Sequence, residues 1–289
     1  MKYCASIQSL EQLQWALDMN AHEVIAHVDH YSREGGLTLK EFDLALNSAK
    51  KANLPICLAA DRLVEERPFD AYLENITSYN CTLRVQDLGL AYSLNESGVP
   101  FQLLLDTGNA NKHSLEKWQH IFKNHCQRII LNNEIPSKQL FSLLPAMQIP
   151  TELLGFGPLL MYYSKRALLS SMGAEQAELL ASSVEAGPGD FRFKESPAGT
   201  VMYNSKELCL LEYADELEQN SLKWLRVDLR YLGKDQFFKL KEAMKSNNIA
   251  SLKKSWPKTL LHGYYGNNRS DSVFKHLPKR KMIENKTMV

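Results

Sequence analysis

Residues 101–132 read FQLLLDTGNANKHSLEKWQHIFKNHCQRIILN. An apolar run, FQLLLD (101–106), precedes a segment in which Leu115, Trp118, Ile121 and Phe122 fall at helical spacing, and a second run, RIILN (128–132), follows. Both runs are apolar nearly throughout instead of alternating. Strands of that kind are covered on both faces, as in a parallel sheet flanked by helices. The stretch therefore reads as a strand, a helix and a second, parallel strand.

The same unit recurs in both directions. VIAHV (24–28), ICLAA (56–60) and LRVQD (83–87) come before it, and ELLGF, TVMYN, WLRVDL and TLLHGYY come after, with Leu39, Phe42, Leu46 and Ala49 marking another amphipathic helix. Repeated strand–helix units give an open doubly wound sheet or a closed barrel, and eight or nine of them favour the barrel. The expected fold class is α/β, a TIM-like (β/α) barrel in complete or distorted form, with residues 1–270 as a single domain. Residues 271–289 are expected to form a basic, frayed tail. VEAGPGDFRFKESPAG (184–199) interrupts the pattern with Gly and Pro and is expected to be a long loop over one face.

Bulk properties narrow the function classes. A net charge of +1 with 23% charged residues gives the whole chain no bias toward nucleic acid or an anionic surface. The opening residues lack the apolar core of a secretory signal and no run is long enough to span a bilayer, so a cytoplasmic protein without a membrane span is expected. Five scattered cysteines, Cys4, Cys57, Cys81, Cys126 and Cys209, form no C-x-x-C pair and read as small buried hydrophobes. His27 and His30 of HVDH lack a further ligand at metal spacing and read as structural. Phosphate-binding and serine-hydrolase motifs are absent.

Polar groups close three apolar runs, where a barrel builds its site. Arg226, Asp228 and Arg230 alternate in WLRVDLR and so project to one side of a strand. Facing the interior, they would form a paired network with a spare positive charge; an internal ion pair that holds the barrel together is the equal alternative. LLHGYYGNNRSDS (260–272) offers His262, Tyr264, Tyr265, Asn267, Asn268 and Arg269 on a glycine-rich turn. FQLLLDTGNANKHS offers Asp106, Thr107, Asn109 and Asn111, residues that also favour turns for local reasons.

In order, these segments resemble the collagenase-like peptidase family, peptidase U32. LRVQDLGLAYSLNESGVP (83–100) is similar to its V-Q-D-L-G strand and helix, and MYNSKELCLLEYADELEQNSLKWLRVDLR (202–230) to its N-S-K-D-L-C-L stretch ending in an I-E-G-R strand. HGYYGNNRS resembles its closing segment. ELLGFGPLLMYYSKRALLSS (152–171) falls on the family signature: Glu152, Gly157, Tyr163 and Ser164 agree, while Phe156 replaces the histidine and Leu160 and Ala167 replace two cysteines. An aromatic residue at the histidine position and the Y-S-x-R core ending at Arg166 are similar to the short subgroup that acts in oxygen-independent ubiquinone biosynthesis.

That resemblance implies a [4Fe–4S] cluster on four cysteines in related proteins. In this chain the signature ligand is Ala167, the following loop contains no Cys, and the position near HVDHYSR is also without one. Soft thiolates are required, so the cofactor is expected to be absent. The implied role is a cluster-less accessory or ligand-binding factor whose partner is a homologous cysteine-bearing subunit or a small aromatic or prenylated ligand. The alternatives are a peptidase, for which no nucleophile–base pair is visible, and an RNA hydroxylation factor, with RNA as partner. Glu152, Tyr163, Ser164, Arg166, Asp228, Arg230, His262 and Tyr264 are the expected pocket residues. Arg166 and Arg230 would hold an anionic group, Glu152 and Asp228 would orient them, and Tyr163 and Tyr264 would pack on a ring.

Overall fold

A computed structural model of the chain describes residues 1–105, 111–174, 176–183 and 187–266. Seven parallel strands follow one another: β1 (Lys2–Ile7), β2 (Glu23–His27), β3 (Ile56–Ala60), β4 (Thr82–Val85), β5 (Phe101–Leu104), β6 (Cys126–Ile130) and β7 (Thr151–Ser164). Helices α1 (Leu10–Asp18), α2 (Leu39–Lys51), α3 (Phe69–Thr77), α4 (Leu88–Glu96), α5 (Lys112–Phe122) and α6 (Ser137–Leu143) connect them. A later strand, here β11 (Trp224–Asp228), pairs in parallel with both β1 and β7 and closes an eight-stranded barrel. The apolar residues between strands and helices form one core running from Ala5 to Tyr265. Inside the barrel the apolar cluster is small: Cys4, Ile25, Cys57 and Ala59. Charged side chains therefore occupy much of the space that branched apolar residues usually fill.

Between β7 and β11 the chain leaves the barrel. The far half of β7 pairs antiparallel with β10 (Gly199–Cys209), and β9 (Gly187–Ser196) and β8 (Glu178–Ser183) complete a four-stranded arm. Three expectations are corrected here. The interval 184–199 is not a long loop, since residues 187–196 form a strand; FRFK alternates with period two, which outweighs the flanking glycines. TVMYN belongs to the arm and not to the barrel wall. TLLHGYY makes only an isolated bridge, Leu208 to Leu261, so it is not a barrel strand. Across the arm Tyr162, Met202, Phe193 and Leu179 stand in register on one face, with Tyr162 and Leu179 exposed. No helix among the described residues is long and apolar enough to cross a membrane.

Candidate functional site

Two polar layers fill the barrel. In the first, Glu152 at the start of β7 is fully buried. Arg84 of β4 donates to both of its oxygens at 2.7 Å, and Arg128 of β6 donates at 2.9 Å. Arg128 also donates to Glu23 of β2 at 2.8 and 3.1 Å, and Gln102 of β5 joins Arg84 to Glu23. The Arg128 guanidinium lies 3.5 Å from the ring centroid of Trp224, a cation–π contact across the barrel floor. Burial by itself raises the Glu152 carboxyl, but the guanidiniums of Arg84 and Arg128 outweigh it and hold the group at about 2. The Cys4 thiol, 3.3 Å from Glu152, is pushed up by burial and then by that carboxylate, so it stays protonated.

The second layer lies at the carboxyl ends of the strands. Arg230 grips Asp228 in a two-point contact, 2.9 Å from Nε to Oδ1 and 2.7 Å from Nη2 to Oδ2. Its other nitrogen donates to Glu34 at 3.0 Å and to His27 Nδ1 at 3.2 Å. Tyr203 of the arm and Tyr231 both donate to Glu34. Burial by itself raises Asp228, and Arg230 outweighs it to lower the carboxyl; His27 is lowered by burial first and then by Arg230 and Arg226. Arg226 bridges the layers, with Nε 3.6 Å from Glu152 and a place beside Asp228 and Arg230 in a cavity of about 20 Å³, room for about one water. Leu154, Pro158, Leu159 and Leu160 form its apolar wall. The three alternating residues of β11 do share the interior, as their spacing predicts. The spare positive charge does not materialise: Arg33, Arg84, Arg128, Arg226 and Arg230 are matched by Glu23, Glu34, Asp61, Glu152 and Asp228, two of them far away in sequence on β2 and the loop after it.

A bulge shapes this layer. Arg226 pairs with Leu154 but Val227 pairs with Phe156, so Gly155 is the extra residue. Phe156 thereby turns to the outer core, edge-on to Trp256 at 5.1 Å, and Gly157 turns toward Asp228. Gly157 has φ +136°, and an added Cβ would sit 2.6 Å from the Asp228 Cβ. Gly157→Ala is therefore expected to lower stability by about 1–3 kcal/mol through backbone strain alone, with more from displacing Asp228; chemical denaturation measures it.

The remaining expected residues disperse. Tyr163 lies on the arm, donating to the Ala198 carbonyl at 2.9 Å, with the Arg33 guanidinium 5.6 Å from its ring centroid. Ser164 ends β7 and accepts from the Arg166 N–H, while Arg166 is exposed and its carbonyl accepts from Thr200. His262 sits in another cluster, 2.8 Å from Glu212, 2.9 Å from Lys253 and 3.3 Å from the Tyr213 hydroxyl; Tyr264 is half-buried on the same turn. Asn111 caps α5 by accepting from the Ser114 N–H, which accords with the local reading of that turn. Asp106, Thr107, Asn109, Asn267, Asn268 and Arg269 lie outside the described residues. Sequence spacing does not point to Glu34, His27, Arg33 or Tyr203 for this site, although HVDHYSRE places a charged run directly after a strand.

An iron–sulfur cluster does not fit the donor set. Cys4, Cys57, Cys126 and Cys209 are buried and pushed by burial away from the thiolate form, and none lies beside Leu160 or Ala167 in sequence. Among the described residues no three His, Cys, Asp or Glu side chains form a metal-holding group.

Three solved structures resemble the chain in part. The U32 peptidase Mk0906 is 10% identical, with 55% of this chain and 70% of that one covered and a TM-score of 0.44. The spore cortex-lytic enzyme SleL of Bacillus megaterium QM B1551 is 9% identical over 83% and 73%, at 0.43. The YdjI aldolase of Escherichia coli K12 is 10% identical over 88% and 89%, at 0.46. No curated protein matches the chain. The profile of Peptidase family U32 matches residues 8–270, from the end of β1 through every remaining barrel strand and the arm, and the chain belongs to that family.

Proposed function

We propose that this chain is a cluster-less accessory member of peptidase family U32, a cytoplasmic factor that serves oxygen-independent ubiquinone hydroxylation by holding a small aromatic or prenylated ligand and a homologous cysteine-bearing subunit. The observation that carries the reading is the donor chemistry. The signature resemblance aligns Ala167 and Leu160 with cysteines of related proteins, and the thiols of the chain, four of them buried and Cys81 half-buried, are all pushed by burial toward the neutral form. Redox chemistry then falls to a partner. The in-register apolar row Tyr162, Met202, Phe193 and Leu179, beside the terminal strand β8, supports a protein contact on the arm.

Anaerobic purification from the native host, with iron analysis and mass spectrometry of what co-purifies, tests this. The expected result is far less than one iron per chain together with a cysteine-bearing U32 protein. Iron at about four per chain, the content of one cubane cluster, overturns it. Bound RNA in place of a protein partner would move the chain to the RNA hydroxylation class.

A further inference from the structure

The cavity at the carboxyl end of the barrel, about 20 Å³, has room for about one water and none for an organic molecule. One side of its wall is barrel, with Asn132, Leu154, Arg226 and Asp228. The other is the ribbon that leads into the arm, with Pro158, Leu159 and Leu160 of β7 and Tyr203 of β10. Along that ribbon the β7–β10 ladder breaks twice. Met161 is an extra residue between the pairs Met202–Tyr162 and Tyr203–Leu160, and Asn204, Ser205 and Lys206 together face Leu159 before pairing resumes at Glu207 and Pro158. Beyond the ribbon the arm keeps its own packing: Leu169, Ala198, Val201 and Tyr203 are buried, and none belongs to the apolar core between strands and helices. Polar contacts tie it to the barrel. The Tyr203 hydroxyl donates to Glu34, the Ser196 hydroxyl donates to the Arg33 carbonyl at 2.7 Å, and Lys165 pairs with Glu65 at 2.8 Å. A unit held in this way opens at a lower free energy than the whole domain unfolds.

We propose that the arm is a lid: it swings away from the barrel mouth as a unit about the broken ladder at Leu159 and residues 204–206, the Tyr203 hydroxyl on Glu34 is its latch, and its opening admits an organic ligand to the cavity. A hinge needs a few residues that absorb the change in dihedral angles, and an interrupted ladder supplies them with few backbone bonds to break. Tyr203 sits between the two breaks, so releasing Glu34 frees it to move with the arm. The release costs little, because Glu34 keeps Arg230 and the Tyr231 hydroxyl and its charge stays paired. The lid rests on the ligand-holding part of the proposed function for its purpose, while its motion depends on neither iron nor a partner.

Asn132→Cys and, separately, Leu154→Cys each place a thiol in the barrel side of the cavity wall, at positions buried in the intact chain. Labelling of the full chain with iodoacetamide, read site by site by mass spectrometry, is expected to be slow in both variants. It should become about tenfold faster when Tyr203→Phe removes the latch hydroxyl and keeps the ring. Ser196→Ala should speed it by a smaller factor. The buried Cys4 and Cys57 inside the barrel report opening of the whole wall and should label no faster. Unchanged labelling in Tyr203→Phe at both positions overturns the proposal, and so does a parallel rise at Cys4 and Cys57, which is unfolding in place of a lid. The measurement needs no ligand, so its failure leaves the accessory reading to be decided by iron and partner content. A chain that holds a cluster and still shows latch-dependent labelling refutes that reading and leaves the lid standing.

Discussion

Glu152→Ala is expected to cost about 3–5 kcal/mol, a large part of the roughly 5–15 kcal/mol that holds an ordinary domain together. The carboxylate takes three hydrogen bonds from Arg84 and Arg128 with no exposure to solvent, and its removal leaves two guanidiniums facing each other in a closed barrel. Chemical denaturation should show the loss, and Glu152→Gln, which keeps the shape and drops the charge, should fall between the two. A pH dependence accompanies it. The folded carboxyl titrates at about 2 against an ordinary 4.5, so its contribution is complete above 4.5 and is lost as pH falls from there toward 2. Over that window the wild-type chain should lose stability more steeply than Glu152→Gln. Parallel slopes would show that Glu152 is not charged in the folded state.

Arg230→Ala is expected to have an effect of similar size, about 3–5 kcal/mol, for the opposite reason: two carboxylates are stranded in place of two guanidiniums. Asp228 loses its two-point partner and Glu34 loses its cation, retaining the hydroxyls of Tyr203 and Tyr231. Because Tyr203 belongs to the arm, the loss should also loosen the arm from the barrel mouth, and hydrogen exchange across β10 should rise along with the fall in thermal stability. Arg230→Lys keeps a charge but cannot reproduce the fork on Asp228, so it should recover part of the stability. An Arg230→Ala chain with unchanged stability and unchanged exchange in β10 would remove Arg230 from the role assigned to it. Retention of both ligand binding and the cellular phenotype would remove the pocket with it.

These two residues show how differently the layers could be read beforehand. Asp228 and Arg230 were legible because period-two spacing on one strand settles which side they share, and the structure brings them into direct contact. Glu152 was legible as a position in a motif but not as the centre of an ionic layer, since Arg84, Arg128 and Glu23 come from three other strands. His27 read as an ordinary histidine in an apolar strand, and its role depends on which nitrogen Arg230 occupies. Arg166 and His262 read as plausible pocket residues, and the chain carries them to an exposed turn and to a separate surface cluster.

The sequence by itself determined the parallel α/β architecture and carried the motif order that resembles the family, because periodicity and segment order are read along the chain without coordinates. It also determined that β11 aims three charges to one side. Only the tertiary structure decided that Arg226 and Arg230 also meet carboxylates some seventy to two hundred positions away, that a bulge at Gly155 turns Phe156 outward and Gly157 toward Asp228, and that FRFK forms a strand in an arm. The physical reason is closure. A barrel sets strands distant in sequence 5 Å or so apart, and the electrostatics of a buried group belong to its neighbours across that gap more than to its own segment.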